Sequence, residues 1–260
     1  MIFDSMVGED SVKLKEKVIV VTGAGSGIGA ALCRRFAAEN PAAIVVSDQN
    51  EELATSVAEE IGGFAVECDV ADESQIQRLV ESTEKRFERV DLFCGNAGIG
   101  LMGGAEVSDE DWKRVMDVNF MSHVYSTRAV LPGMLARGEG YLLHTASAAG
   151  LLTQVGSAPY AVSKHAAVAF AEWLAITHGD QGIKVSCLCP LGVKTRMLES
   201  DHPVVQKLAE TAILAEQVAE AVVEGIDRER FLILPHAEVA GFVEFKAKDP
   251  ERWLEKMRDW

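Results

Sequence analysis

The sequence predicts an α/β fold built on a doubly wound parallel sheet. Short β-branched runs alternate with longer segments of helical period along the chain. Such alternation implies parallel strands with helices on both faces, and right-handed crossovers wind them in both directions. A glycine-rich turn, TGAGSGIG at 22–29, joins the first strand to the first helix, and a carboxylate, Asp48, ends the second strand.

The elements follow in order. KVIVVT at 17–22 reads as a strand, and 29–40 as a helix stopped by Pro41. A strand at 43–47 and a helix at 51–61 come next. A strand at 64–68, a helix at 73–87 and a short strand at 91–94 continue the alternation. The segment 109–135 reads as one long helix, with Ser108 as N-cap and Asp111 three residues on, a capping box with the shorter acid. Then come a strand at 140–145, a helix at 159–178 and a strand at 183–189. Helices fill much of 203–225, a last strand spans 231–234, and a charged helical tail spans 249–259. With no repeat, linker or low-complexity segment, 260 residues are read as a single domain. Its subdivisions are an N-terminal extension at 1–14, a substrate-loop region at 191–225 and a C-terminal helical tail at 240–260.

Composition narrows the function classes. The formal net charge of −15 argues against nucleic acid or an anionic membrane as partner, because both select positive surfaces. The cysteines (33, 68, 94, 187 and 189) contain no C-x-x-C pair. They are expected to be buried reduced thiols of a cytoplasmic protein, with no metal site and no disulfide framework. The first dozen residues lack the basic and apolar regions of a signal peptide. No apolar stretch approaches the roughly 18 residues that span a bilayer.

The glycine turn has the context of a dinucleotide site. Glycines allow a tight turn and close approach of backbone to a ligand. The helix that follows offers free N–H groups and its positive dipole end to a pyrophosphate. Gly25, Gly27 and Ala30 satisfy G-x-G-x-x-G/A, while Gly23, Gly27 and Gly29 give T-G-x-x-x-G-x-G. Asp48 follows Gly29 by 19 residues (48 − 29), where a carboxylate accepts from the ribose hydroxyls of NAD. A 2′-phosphate would be repelled, and Ser26, Ser47, Gln49 and Asn50 supply no compensating cation. NAD is therefore favoured over NADP.

Tyr160 and Lys164 stand at i and i+4 and share a helix face. A free phenol titrates near about 10, and a neighbouring ammonium is expected to lower that value toward a useful base. The pair alone is a weak signal, but it does not stand alone. TGAGSGIG at 22–29, Asp48, CDV at 68–70, GNAG at 95–98, Asn119, Ser147 and Y-A-V-S-K at 160–164 occur together and in order. In these motifs the chain, from residue 15 to about 235, resembles the short-chain dehydrogenase/reductase family. Ser147 precedes Tyr160 by 13 residues (160 − 147), the family's usual interval.

The resemblance implies a Rossmann-type sheet of about seven strands in the order 3-2-1-4-5-6-7. It implies Tyr160 as general acid/base, Ser147 bonded to the substrate oxygen, Lys164 on the ribose hydroxyls, and Asn119 holding a water of a proton relay. Gly23, Ser26, Gly27, Ile28, Gly29 and Asp48 would bind the cofactor, with Asp69 and Val70 at the adenine. Asn96, Ala97 and Gly98 would floor the site. Pro190, Val193 and Thr195 would complete its nicotinamide side.

The implied reaction moves a hydride between a carbinol carbon and the nicotinamide, with the proton passing through Tyr160. No metal is required. Ser147, Gln154, Leu191 and Met197 are the candidate substrate contacts in a largely apolar pocket, which suits a secondary alcohol or ketone with a hydrophobic body. A 3-oxoacyl reductase of the fatty-acid type is the nearest alternative, and Asp48 and the acidic charge lean against it. A non-catalytic NAD-binding protein is a further alternative, opposed by the intact Ser147, Tyr160 and Lys164.

Two departures from the family pattern stand out. Pro190-Leu191-Gly192 stands where the family often has Pro-Gly, a leucine replacing the usual glycine near the nicotinamide, which is expected to alter the local backbone and narrow the pocket. Gly95 stands where many members have Asn. The histidines at 123, 144, 165, 178, 202 and 236 are read as packing or surface residues. The aromatics of the tail (Phe242, Phe245, Trp253 and Trp260) are open to three roles: covering the pocket, padding an interface or packing. The helix at 159–178 is apolar almost all round and should be buried on more than one side. Assembly as a homodimer or homotetramer through the 109–135 and 159–178 helices is the corresponding expectation.

Overall fold

The computed structural model describes residues 14–199 and 201–259. Seven strands form one parallel sheet: β1 (Val18–Thr22), β2 (Ala43–Asp48), β3 (Phe64–Glu67), β4 (Leu92–Gly95), β5 (Gly140–Thr145), β6 (Ile183–Leu188) and β7 (Leu232–Ile233). Their order is β3-β2-β1-β4-β5-β6-β7, as the family resemblance implied. The register sets Val20 beside Val45 on one side and beside Phe93 on the other. All five residues of β1 and all six of β5 are buried, so their runs are apolar rather than alternating.

Helices cover both faces. On one side lie α1 (Gly27–Ala37), α2 (Glu51–Ile61) and α9 (Ala215–Asp227), packed on Ile19, Val21, Leu143 and Leu188. On the other lie α3 (Glu73–Phe87), α5 (Ser122–Arg137) and α7 (Ala158–His178), packed on Val20, Phe93, Leu142 and Cys187. Local chemistry sets several helix ends. Asn50 accepts from the Leu53 amide at the start of α2, and Gly62 ends it in the left-handed region. Asp72 caps α3 through the Ser74 amide. Pro159 occupies the first turn of α7, where its missing N–H costs nothing.

Strand order reverses between β1 and β4. In such sheets the crevice at the carboxyl ends of the strands is where ligands bind. The glycine turn leaves β1 on one side of that crevice, and residues 95–98 leave β4 on the other.

The 109–135 segment differs from the expected single helix. It divides into α4 (Asp109–Met116), a π-helical turn (Asp117–Met121) and α5. A π turn inserts one extra residue, and such turns concentrate at functional sites. Ser108 and Asp111 do pair at the start of α4: the Ser108 hydroxyl accepts from the Asp111 amide at 3.2 Å and donates to the Asp111 carboxylate at 2.8 Å.

One helix escaped the sequence reading, α6 (Ala149–Leu152), while α10 (Glu238–Lys248) begins the expected helical tail at 240–260. Neither has a side-chain cap to announce its start. The remaining helices are α8 (Pro203–Glu210) and α11 (Pro250–Arg258). Of the expected extension at 1–14, only Leu14 lies within the described residues, and it is buried in the core rather than extended from it. Trp260 lies outside the described residues. Phe245 and Trp253 pack edge to face at 5.9 Å in a cluster with Ala148, Leu152, Leu191 and Val239. Phe242 is exposed. Among the described residues, no helix is long and apolar enough to cross a membrane.

Candidate active site

The glycine turn is shaped by contacts on both sides. Gly23 has φ +61°, and a Cβ there would lie 2.7 Å from the Ala97 backbone. The turn therefore presses directly on residues 95–98 after β4. Asn96 ties the two together: its amide donates to the carbonyls of Thr22 and Gly23, and its backbone N–H donates to the Thr22 hydroxyl. Thr145, at the end of β5, donates its hydroxyl to Asn96 Oδ1. Three strand ends are thus joined through Asn96.

Ser26 precedes α1 in an extended conformation and makes no side-chain bond to the first turn. The first N–H groups of α1 are therefore not capped by that side chain, as an anion site requires. Ile28 packs against the core beneath the turn. Asp48 Oδ2 accepts from the Gly25 amide at 2.9 Å, so the acid of β2 reaches the turn. Asp69 instead closes its own turn by accepting from the Ala71 amide at 3.0 Å, and Val70 beside it is buried. Thr195 reaches the turn from the far side, its methyl 3.1 Å from where a Gly27 Cβ would sit.

Across the crevice, α7 and the π turn bring Tyr160, Lys164 and Asn119 together, and Ser147 joins them from just beyond β5. Lys164 is buried, and its ammonium donates to the Thr145 carbonyl at 2.9 Å. Asn119 is fully buried in the π turn. Its Oδ1 accepts from the Ile99 amide at 2.8 Å, and its Nδ2 donates to the Ile99 carbonyl and to Ser163 Oγ. Ser163 in turn donates to the Tyr160 carbonyl at 2.8 Å. A Cβ on Gly98 would lie 3.3 Å from both Asn119 Oδ1 and Lys164 Nζ. Ser147, two residues beyond Thr145, accepts from the Ala149 amide at 3.1 Å and faces the Pro190 carbonyl at 3.4 Å.

The electrostatics correct one expectation. Burial raises the Tyr160 phenol above its usual 10, and hydrogen bonding from Ser147 opposes that rise. Lys164 makes no hydrogen bond to the phenol that would lower it. The ammonium sits 5.7 Å from the centroid of the Tyr160 ring and is turned toward the Thr145 carbonyl. Its own value falls from 10.5 to about 8, chiefly because burial disfavours the charge. The chain alone therefore holds a neutral phenol beside a buried, easily deprotonated amine.

The substrate-side candidates are less gathered. Met197 is half exposed and reaches across to Gly100, its Cγ 3.5 Å from where a Cβ would sit. Gln154 lies in the turn after α6, where its carbonyl accepts from the Ser157 amide. Leu191 packs with Ala148, Leu152 and Trp253 under the C-terminal helices. Val193 is buried and forms a bridge with Ile213.

The structure also supplies residues that pattern reading passed over. Thr22 and Thr145 organise Asn96, and Ser163 links Asn119 to Tyr160. Ser163 carried a visible signal, since it lies between Tyr160 and Lys164 on one buried face. The histidines at 123 and 144 pair with each other, Nδ1 to Nδ1 at 3.0 Å, and burial lowers both. A Cβ on residue 95 would lie 2.6 Å from His123 Nδ1. That contact accounts for glycine where many members of the resembled family have Asn.

The chain is similar to known dehydrogenases in sequence and in fold. A family model described as short chain dehydrogenase matches residues 17–205. The chain is 37% identical to 1-deoxy-11-beta-hydroxypentalenate dehydrogenase of Streptomyces arenae over 85% of this chain and 83% of that one. It is 33% identical to the mitochondrial borneol dehydrogenase of Lavandula x intermedia over 80% and 83%. A short chain dehydrogenase/reductase from Burkholderia phymatum, solved in complex with NAD, superposes with a TM-score of 0.85 at 29% identity, covering 92% of this chain and 95% of that one.

Proposed function

This chain belongs to the short chain dehydrogenase family, and on that premise we propose that it is an NAD(H)-dependent oxidoreductase that interconverts a secondary alcohol and its ketone. The observation that carries the reading is the convergence of Ser147, Tyr160, Lys164 and Asn119 on the crevice that the glycine turn opens. Relatives named as dehydrogenases of a hydroxypentalenate and of borneol support an alcohol–ketone reaction.

The residues present fit a dinucleotide. The uncapped start of α1 and the close-packed Gly23 suit a pyrophosphate. Asp48 would accept from the adenosine ribose, and its charge favours NAD over NADP. Ser26, Gly27, Ile28 and Gly29 would border the phosphates, and Asp69 and Val70 the adenine. Asn96, Ala97 and Gly98 would line the floor, and Pro190, Val193 and Thr195 the nicotinamide side. When bound, the nicotinamide supplies the hydride chemistry.

The chain's own residues handle the proton and the oxygen. Tyr160 is kept protonated by burial, so it is ready to donate to a ketone oxygen, and the phenolate left by that donation is the form that would accept from the alcohol in reverse. Ser147 would hold that oxygen as negative charge develops on it. Lys164, readily losing a proton in its buried setting, would hold ribose hydroxyls and pass protons on. Asn119 fixes the π turn that borders Lys164, where a relay water would sit. Leu191, Met197 and Gln154 are the proposed substrate contacts, and they suit a substrate with a hydrophobic body. A panel of secondary alcohols with NAD and of ketones with NADH, followed by nicotinamide absorbance, tests the reading. Absence of turnover across the panel would count against it.

We further propose one domain, a cytoplasmic location and a homodimer or homotetramer. The five described cysteines are free and buried, as reduced thiols would be. Val162, Trp173 and Ile176 on α7 are large apolar residues left exposed by this chain, Ile176 at 79%. A second subunit on that face would bury them.

A further inference from the structure

Pro190 is followed by Leu191, whose partly buried peptide N–H lies beside the proposed nicotinamide site. A buried N–H without a partner costs about 1–3 kcal/mol. Its partner here is not backbone. His236 Nδ1 accepts from the Leu191 amide at 3.2 Å, and His236 Nε2 lies 3.1 Å from the Gly192 carbonyl. His236 is itself buried, 4% exposed, between β7 and α10.

These two partners determine the ring's chemistry. The Leu191 amide can only donate, so Nδ1 must present a lone pair. The Gly192 carbonyl can only accept, so Nε2 must carry the proton. Only the neutral Nε2–H tautomer makes both bonds at once. The ring thereby grips two consecutive backbone groups of one loop.

That loop is otherwise held from the opposite side. The Gly192 carbonyl also accepts from the Ile213 amide at 3.1 Å, and the Lys194 amide donates to the Ile213 carbonyl at 2.9 Å. Upstream, the Pro190 carbonyl accepts from the Ala148 amide at 2.8 Å and faces the Ser147 hydroxyl. Downstream, Thr195 abuts Gly27 of the glycine turn. The clamped segment therefore spans from Ser147 to the cofactor cradle. The ring's hydrogen bonds go to Leu191 and Gly192, not to either of these.

We propose that His236 is a positioning residue: its Nε2–H tautomer clamps the Leu191–Gly192 backbone and so sets the wall against which the nicotinamide and the substrate carbonyl are held. The inference rests on the dinucleotide reading above. It assigns to the segment after β7 a role in coenzyme binding, exerted through the backbone of the preceding loop.

The test combines a tautomer measurement with coenzyme titrations. In protein labelled with ¹⁵N-histidine, two-dimensional NMR separates protonated from unprotonated ring nitrogens, and His236→Gln identifies the His236 signals by their loss. The expected pattern is Nε2 protonated and Nδ1 bare in the resting protein. A charged ring or the Nδ1–H tautomer overturns the clamp, whether or not the protein binds a coenzyme.

NADH and NADPH titrations are then run on the wild type and on folded variants well below their melting temperatures. His236→Ala is expected to weaken coenzyme binding about tenfold, the scale of one lost backbone hydrogen bond. His236→Asn keeps an acceptor near the Nδ1 position and His236→Gln a donor near the Nε2 position, so each should recover part of that loss. Unchanged coenzyme affinity in folded His236→Ala, with only the melting temperature lowered, would reduce His236 to a packing residue and overturn the proposal. A wild type that binds neither coenzyme defeats the dinucleotide reading instead, and the tautomer spectrum still decides the clamp.

Discussion

Asp48 Oδ2 accepts the amide hydrogen of Gly25 at 2.9 Å, which joins the acid at the end of β2 to the glycine turn after β1. That carboxylate tethers the turn, and in the proposed coenzyme reading it would also repel a 2′-phosphate. Asp48→Asn separates the two effects, because the amide oxygen still accepts from Gly25 while the charge is gone. We expect kcat/KM with NADP to rise at least about tenfold relative to NAD, the effect of about 1.4 kcal/mol of removed repulsion. Steady-state kinetics with both coenzymes reads this directly, and a wild type that already prefers NADP would contradict the assignment of Asp48.

Tyr160→Phe removes the proposed proton donor and leaves the ring. Turnover should fall by about 10²-fold or more, the usual weight of a positioned acid or base. NADH binding should persist. Because burial holds the phenol protonated, ketone reduction by the wild type should hold steady through neutral pH and decline only on the alkaline side. Substantial residual turnover in the Phe variant would remove Tyr160 from the chemistry.

Lys164 carries a charge that burial disfavours, at a position with a proposed role in proton transfer. Its buried ammonium has the Thr145 carbonyl as acceptor, and burial lowers it from 10.5 to about 8. Lys164→Met should abolish activity yet raise stability at neutral pH by about 1 kcal/mol or more, the scale seen when buried charge gives way to packed apolar volume. The advantage should shrink as pH rises from about 8 to 10.5. In that window the unfolded wild type still holds the proton that the folded one has released, so wild-type stability climbs. Urea unfolding of both proteins at several pH values checks the sign, and a destabilised Met variant would refute it.

Gly95 and the His123–His144 pair compete for one space. Gly95→Ala should cost about 1–3 kcal/mol as an overpacked core position. The same change in a His123→Ala background should cost far less. A double-mutant cycle by thermal or urea unfolding measures that coupling; additive losses would place the strain elsewhere.

The apolar face of α7 predicts assembly. Trp173→Glu combined with Ile176→Glu should shift the protein toward monomer in sedimentation, with secondary structure retained. A wild-type monomer at micromolar concentration would oppose the assembly reading.

Much of the fold is legible in the order of residues alone. Helices 51–61 and 73–87 and strand 140–145 are where their periodicity and caps put them, because Asn50, Gly62 and Asp72 act within one turn of their own position. The strand order came from the family resemblance. The break of 109–135 at a π turn was not legible, because nothing local marks it. Asn119 is buried there through Ile99 and Ser163, which lie 20 and 44 residues away. Helix α6 was missed for the same kind of reason. It starts after Ala148, whose side chain offers the first turn no hydrogen bond, so no capping residue announces it.

The sequence by itself determined the order of the elements, the glycine turn and the identity of the polar residues at the crevice. These depend on periodicity and on motifs written in consecutive residues. Only the tertiary structure decided how those groups act on one another. It turned Lys164 toward Thr145 rather than the phenol, let burial raise Tyr160, made Gly95 answer to His123, and set His236 on the Leu191–Gly192 backbone. Desolvation and the pairing of buried donors with acceptors are properties of a packed interior, and they come into being only when distant segments meet.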